Sequence, residues 1–262
     1  MLSLFKNWFA SRATTAAAIS DDVWCDTLAA MPFLSGFSDD DLNRLRNLVE
    51  QFLHDKQFSA AAGLDLSDAM RVFIATQACL PILNLGIASY KGWNEIIIYP
   101  RQFSPRHEYT DEAGVVHVSD HPLAGESWLG GPVVLSWEDA ALSGFGDGYN
   151  VVIHEFAHKL DMLNGEPNGF PPLHKNMSRI GWSLAFKTAF EKFKIAVNNK
   201  IDTEIDPYAA EDPAEFFAVM TEAFFEMPDV VSREFPDVYQ QLTLFYRQNP
   251  LQRLHAKLEA GY

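Results

Sequence analysis

The sequence predicts an α+β fold, mainly helical, with a small mixed sheet and an N-terminal helical layer. Three observations carry that prediction. Stretches in which apolar residues recur at helical spacing dominate the chain. Only two short runs, Glu95–Tyr99 and 132–137, have the β-branched and aromatic content of strands. No internal repeat, low-complexity linker or composition break divides the 262 residues, so 1–262 reads as a single domain.

Residues 1–20 form an N-terminal extension. Met1 to Ala10 has a short apolar content broken by Lys6 and Asn7. It lacks the continuous apolar core of a secretory signal and reads as an amphipathic helix docked on the domain. Its basic charge is too small for a membrane anchor. Residues 38–58 read as a helix, with Ser38 as cap and acids in the first turn. Residues 69–85 are apolar and helical, with Pro81 kinking or splitting them. Glu95–Tyr99 is a strand that stops before Pro100. Residues 101–130 are polar and rich in Gly, Pro, His and Asp, the longest irregular stretch. Residues 132–137 form a second strand, placed at a sheet edge because it opens on Pro132. Residues 151–163 are strongly helical, and Asn150 caps them. A Gly/Pro loop over 165–173 follows, then helices near 175–198, 213–227 and 236–247.

Composition narrows the function. Hydrophobic residues at 48% and charged residues at 21% are ordinary for a globular protein. The net charge of −15 disfavours direct binding to nucleic acid or to an anionic membrane. Cys25 and Cys79 are the only cysteines, too few for a disulfide framework or a thiolate zinc cluster. A reducing, cytoplasmic setting is the expectation. No segment has the ~18 apolar residues needed to span a bilayer.

The chemistry is concentrated in His154-Glu155-Phe156-Ala157-His158. On a helix, positions four apart share one face, so His154 and His158 can present two imidazole nitrogens to one metal ion. Glu155 projects beside them, close enough to take a proton from an attacking water. This is the geometry of a zinc hydrolase. The competing reading is a pair of hydrogen-bonded core histidines without metal. The surrounding helix is apolar enough to be buried, and buried polar groups need partners. A catalytic zinc takes a third protein ligand. Asp161 is too close on the same helix and suits an outer hydrogen bond or a helix-end contact. Asp161 and Asn164 replace the Gly and His of the longer metzincin pattern, which disfavours that arrangement. His107, His117, His121 and His174 read as loop or surface residues.

Downstream, Asp212-Pro213 reads as a cap followed by proline at the first helical position, with Glu215 in the first turn. Asp212 and Glu215 have the spacing of a capping box, which needs no metal. Glu215, Glu222 and Glu226 share a stripe that suits a solvated acidic face. From spacing alone, Glu215 as ligand, Glu222 as ligand and the capping box all stay open. Tyr208 is a suitable hydroxyl donor, with packing at the helix start as its alternative role.

The segments HEFAHKLDMLNG and YAAEDPAEFFAVMTEAFF together resemble the Mlc titration factor A family, bacterial zinc peptidases of the gluzincin type. The same pair is similar to the catalytic domain of anthrax lethal factor. NEIIIYPRQF, GESWLGGPVVLSWEDA and FPDVYQQLTLFYRQNP extend the likeness over most of the chain from about residue 20. The resemblance implies a zincin-like metallopeptidase core in which an extended substrate lies along an edge strand beside the catalytic helix, with 132–137 as the candidate strand. It implies one zinc ion (Zn2+) per chain on His154, His158 and Glu215, with Glu155 as general base and Tyr208 as hydroxyl donor to the tetrahedral intermediate. It further implies aminopeptidase-like activity on short peptides and capture of Mlc, a glucose-responsive repressor of phosphotransferase genes. The alternative is a non-enzymatic repressor-binding protein with a structural metal site.

Overall fold

Capping side chains mark where the first helices begin. In the computed structural model, which describes residues 18–104, 107–110, 116–119 and 122–259, Ser20, Ser38 and Ser67 each accept a bond from a backbone N–H just downstream. They open α1 (Asp21–Ala29), α2 (Asp39–Asp55) and α3 (Asp68–Cys79), the N-terminal helical layer. The docked helix expected over residues 1–10 lies outside the described residues.

Two expected helices are shorter than their apolar patterns. The one expected over 38–58 stops at Asp55. Lys56 turns extended, with φ −107° and ψ 141°. Its ammonium donates inward to the carbonyls of Tyr90 and Trp93, and Gln57–Ala60 leave as strand β1. The one expected over 69–85 ends at Cys79, just before Pro81, which lacks the N–H that would continue it.

The main sheet has the order β1-β2-β6-β5, with β2 (Glu95–Tyr99), β5 (Gly125–Ser127) and β6 (Val133–Ser136). β1, β2 and β6 run parallel, and β5 is antiparallel to β6. The strand expected at the edge is therefore central. All four residues of β6 are buried, and both sides are paired. Pro132 misleads because it precedes the ladder, where its missing N–H costs nothing. The edge next to β6 is β5, inside the stretch expected to be irregular, and β1 is the other edge. That stretch also holds a hairpin, β3 (His107–Thr110) with β4 (Val116–Ser119). A strand of 3 residues is too short for alternation to reveal it.

The remaining helices are α4 (Trp137–Ala140), α5 (Val151–Asp161), α6 (Arg179–Asn198), α7 (Pro213–Glu226), α8 (Pro228–Glu234), α9 (Pro236–Tyr246) and α10 (Pro250–Glu259). The helix expected from 175 begins at Arg179, where Ser178 caps it. Phe156 anchors α5 among Phe52, Tyr90 and Trp93, at centroid distances of 5.6, 5.1 and 5.7 Å. Burying one such ring contributes about 1.5–3 kcal/mol. α7 packs against another side of α5 and is itself held by aromatic contacts, Phe186 with Phe216 and Phe217 among them. Among the described residues, no helix is long and apolar enough to cross a membrane.

Candidate metal centre

Helix α5 starts at a fully buried cap. Asn150 Oδ1 accepts from Ile153 N at 2.9 Å. Ser143 Oγ accepts from Val151 N at 3.1 Å, and Glu222 Oε2 accepts from Asn150 N at 2.5 Å. Asn150 Nδ2 donates to Glu226 Oε1 at 2.6 Å. The first turn is thus tied to α7 by two carboxylates. The stripe of acids on α7 is not a solvated face: Glu222 and Glu226 are 4% and 7% exposed. Burial pushes the Glu226 carboxyl up to about 7.

This tie brings three side chains together. His154 Nε2 lies 2.9 Å from Glu215 Oε2 and 3.1 Å from His158 Nε2. His158 Nε2 lies 3.4 Å from Glu215 Oε1. One ligand atom from each residue falls within 4.8 Å of the others, so the trio could hold a metal ion. Glu222 stands on the far side of the same ring, its Oε1 2.7 Å from His154 Nδ1. An Nδ1–H that donates to Glu222 leaves a lone pair on Nε2. That lone pair faces a carboxylate and a second ring nitrogen, an arrangement that needs positive charge in the middle. Burial opposes charge on His154, yet Glu222 and Glu215 outweigh it and hold its pKa well above the ordinary value. Burial likewise opposes charge on Glu215, and both histidines nevertheless hold its carboxyl well below the carboxylate range. Two imidazoles and one carboxylate around a site that demands a cation are a donor set that fits zinc.

The capping box is half made. Asp212 Oδ1 accepts from Ala214 N at 2.7 Å and Glu215 N at 3.0 Å. The Glu215 carboxylate turns instead to the histidines. Asp161 serves as a helix-end contact, since its Oδ2 accepts from Asn168 N at 2.7 Å and Gly169 N at 2.6 Å. His174 Nε2 lies 2.8 Å from the Phe245 carbonyl and takes no part in the trio. His107 and His117 lie on the two strands of the β3–β4 hairpin, and His121 is outside the described residues.

Glu155 is 5% exposed, and its Oε2 has no hydrogen-bond partner among the described residues. Burial raises its pKa, against the charges of His154 and His158. Tyr208, in the short turn Pro207–Ala210, sits with its ring centroid 6.1 Å from that of His154. Burial and the nearby charges of Glu215 and Glu155 push its pKa up, so its hydroxyl stays protonated. A cavity of about 360 Å³ is lined by Gly125, Tyr149, His154, Glu155, Tyr208 and Glu222.

Strand β5 supplies residues that sequence reasoning missed. A Cβ on Gly125 would fall 2.5 Å from Glu155 Oε1, so only glycine lets this backbone come so close to the carboxylate. Ser127 Oγ donates to the Glu155 carbonyl at 2.8 Å. Lys159 Nζ donates to the carbonyls of Trp128 and Gly131 at 2.6 and 2.8 Å. Its pKa is lowered to about 8 by burial. Lys159 belongs to α5 and was not singled out by sequence reasoning, since adjacency to the motif is no signal for a contact with β5.

Comparison with known proteins gives a consistent assignment. A family model described as glucose-regulated metallo-peptidase M90 matches residues 5–247. The chain is 37% identical over 248 residues to Mlc titration factor A of Cronobacter sakazakii, covering 94% of this chain and 93% of the relative. It is 39% identical over 233 residues to Mlc titration factor A of Escherichia fergusonii, covering 88% of each. It is 38% identical over 240 residues to Mlc titration factor A of Salmonella paratyphi A, covering 91% and 90%.

Proposed function

The chain belongs to the glucose-regulated metallo-peptidase M90 family, and on that premise we propose that it is a zinc-dependent, cytoplasmic peptidase with a zincin-like core that trims short peptides as an aminopeptidase. The observation that carries this reading is the convergence of His154, His158 and Glu215 beside the partnerless Oε2 of buried Glu155. In this reading His154, His158 and Glu215 hold one zinc ion. A zinc ion there supplies Lewis acidity, which makes water a nucleophile near neutral pH and polarises the scissile carbonyl.

The protein's own groups do the rest. Glu222 holds His154 by Nδ1, which fixes the ring's tautomer and orientation. Glu155 takes the proton of the attacking water and returns it to the leaving amine, a role that its raised pKa suits. Tyr208 donates its hydroxyl to the developing oxyanion. The peptide lies along β5. The pairs Ala124 with Ser136 and Trp128 with Pro132 face β6, so alternation turns the backbone groups of Gly125 and Ser127 to the free edge. The experiment is metal analysis with peptide turnover. About one zinc per chain is expected, with activity lost to a chelator and restored by zinc. Full activity in a verified metal-free sample would overturn the reading.

The relatives' name motivates a second activity, binding of an Mlc-type repressor protein. A purely regulatory protein with a structural metal site is the competing reading. Structural zinc sites are closed by four protein ligands, whereas among the described residues three converge here, with the unpartnered Oε2 of Glu155 beside them. That unpartnered oxygen favours chemistry.

A further inference from the structure

We infer that Lys159 is a positioning residue that fastens the substrate-binding edge strand β5 to the catalytic helix α5. The words substrate-binding rest on the peptidase reading above. The geometry is a row of contacts along one face of α5. At one end, Gly125 abuts the Glu155 carboxylate without a side chain between them. In the middle, Ser127 Oγ donates to the Glu155 carbonyl at 2.8 Å. One helical turn further on, the Lys159 ammonium reaches two carbonyls of the turn that follows β5, Trp128 at 2.6 Å and Gly131 at 2.8 Å. That turn is itself closed by Gly131 N on Trp128 O at 3.0 Å and Trp128 N on Pro132 O at 3.1 Å.

The chemistry of the lysine argues for position over stability. Lys159 is 3% exposed and forms no ion pair among the described residues. Its charge is met by two carbonyls, by the face of Trp93, whose centroid lies 4.8 Å from Nζ, and at longer range by the Glu155 carboxylate. An ammonium buried with no carboxylate in direct contact, and with the Lys56 ammonium also acting on it, is a poor source of folding free energy, and an apolar side chain of similar length would serve packing as well. The three ammonium hydrogens do suit a site that must grip a turn at two points. The other end of β5 is held differently, by the backbone bonds between Phe103 and Leu123 at 3.2 and 2.8 Å. Between those two fastenings, among the described residues, Gly125 and Ser127 are the ones whose backbone groups alternation turns away from β6 and toward an extended peptide. Their spacing from Glu155 therefore depends on the Lys159 grip.

The test compares Lys159→Met and Lys159→Arg with the zinc-loaded wild type. Zinc content, amide hydrogen exchange over residues 124–131 and over α5, and kcat and KM are measured. Two substrates are used, a single-residue chromogenic amide and an extended peptide that would pair with both Gly125 and Ser127. For Lys159→Met the expectation is unchanged zinc, at least tenfold faster exchange over 124–131, and unchanged exchange in α5. KM for the extended peptide rises at least tenfold, and the loss on the single-residue amide is several-fold smaller. Lys159→Arg, which keeps the donors, restores both exchange and KM. Unchanged exchange over 124–131, or equal losses on the two substrates, overturns the proposal. If Lys159→Met does not fold, Ser127→Ala removes the neighbouring fastening and should give the same pattern at smaller size. No change of exchange in that variant also overturns it. If zinc-loaded wild type cleaves neither substrate, the peptidase reading fails, while the exchange data still decide whether Lys159 holds β5.

Discussion

Glu215 and Glu222 lie about two turns apart on α7 and address opposite sides of one imidazole. Glu215 meets His154 Nε2 and Glu222 meets Nδ1. Their substitutions should therefore differ in kind. Glu215→Ala should abolish tight zinc binding, measured by competition with a chelator. Glu222→Ala should weaken it about 10–100-fold, the usual effect of losing an orienting partner. It should also cost about 1–3 kcal/mol of stability, because the buried Asn150 N–H loses its acceptor. If Glu215→Gln keeps zinc and only melts earlier, its role is capping and Glu222 becomes the ligand to test. Glu155→Gln is the complementary case. It should retain zinc, keep its melting temperature and lose about 10²–10⁴-fold in kcat. Equal zinc loss in Glu155→Gln and His158→Ala would contradict the division between base and ligands.

Elements act on the centre through their ends and edges. Asp212 caps α7 through Ala214 N and Glu215 N, so Asp212→Ala should destabilise the protein by about 0.5–2 kcal/mol. It should also lower zinc affinity, because Glu215 sits in the turn that frays. A thermal melt with unchanged zinc affinity would argue that Glu215 is held by the histidines alone. β5 gives a sharper test. Gly125→Ala places a methyl group against Glu155 Oε1. A misplacement of the base by ~1 Å would lower kcat about 10²-fold, with zinc content unchanged. Wild-type kcat in Gly125→Ala would show that the strand and the base are not in functional contact.

For the molecule as a whole, the metal would join parts of the chain that meet only when folded. His154 and Glu215 are 61 residues apart in sequence, so zinc held there as proposed would bind the native state and stabilise it by linkage. At a hundredfold excess over Kd the gain is ~2.7 kcal/mol, which corresponds to roughly 5–10 °C in Tm for a chain of this size. Calorimetry with and without chelator measures it, and an unchanged Tm would argue against a native-state site. Repressor capture, in contrast, needs surface rather than chemistry. α5 is too buried to form a protein interface of ordinary size. Glu155→Gln should therefore still bind the repressor in a purified two-component assay while failing to cleave peptides. Loss of both activities in a folded, zinc-loaded variant would mean that the two share one surface.

The amino-acid sequence by itself determined the helix with His154, Glu155 and His158, its Asn150 cap, the capped start of α7 at Asp212, and the mainly helical class. Each depends on residues within a turn or two of each other, where periodicity and capping chemistry act locally. The choice between Glu215 and Glu222 was undecidable from spacing, because both occupy one face of α7 and only the packing of α7 on α5 says which ring nitrogen each meets. The same holds for the strands. Pro132 and the β-branched run around it are compatible with an edge or a centre, and the decision belongs to β5, too short to carry a pattern. Gly125, Ser127 and Lys159 became visible only once β5 lay against α5. A hydrogen bond between distant segments leaves no periodic trace in either, so tertiary structure alone decided how Glu155, the edge strand, Glu215 and Glu222 come together.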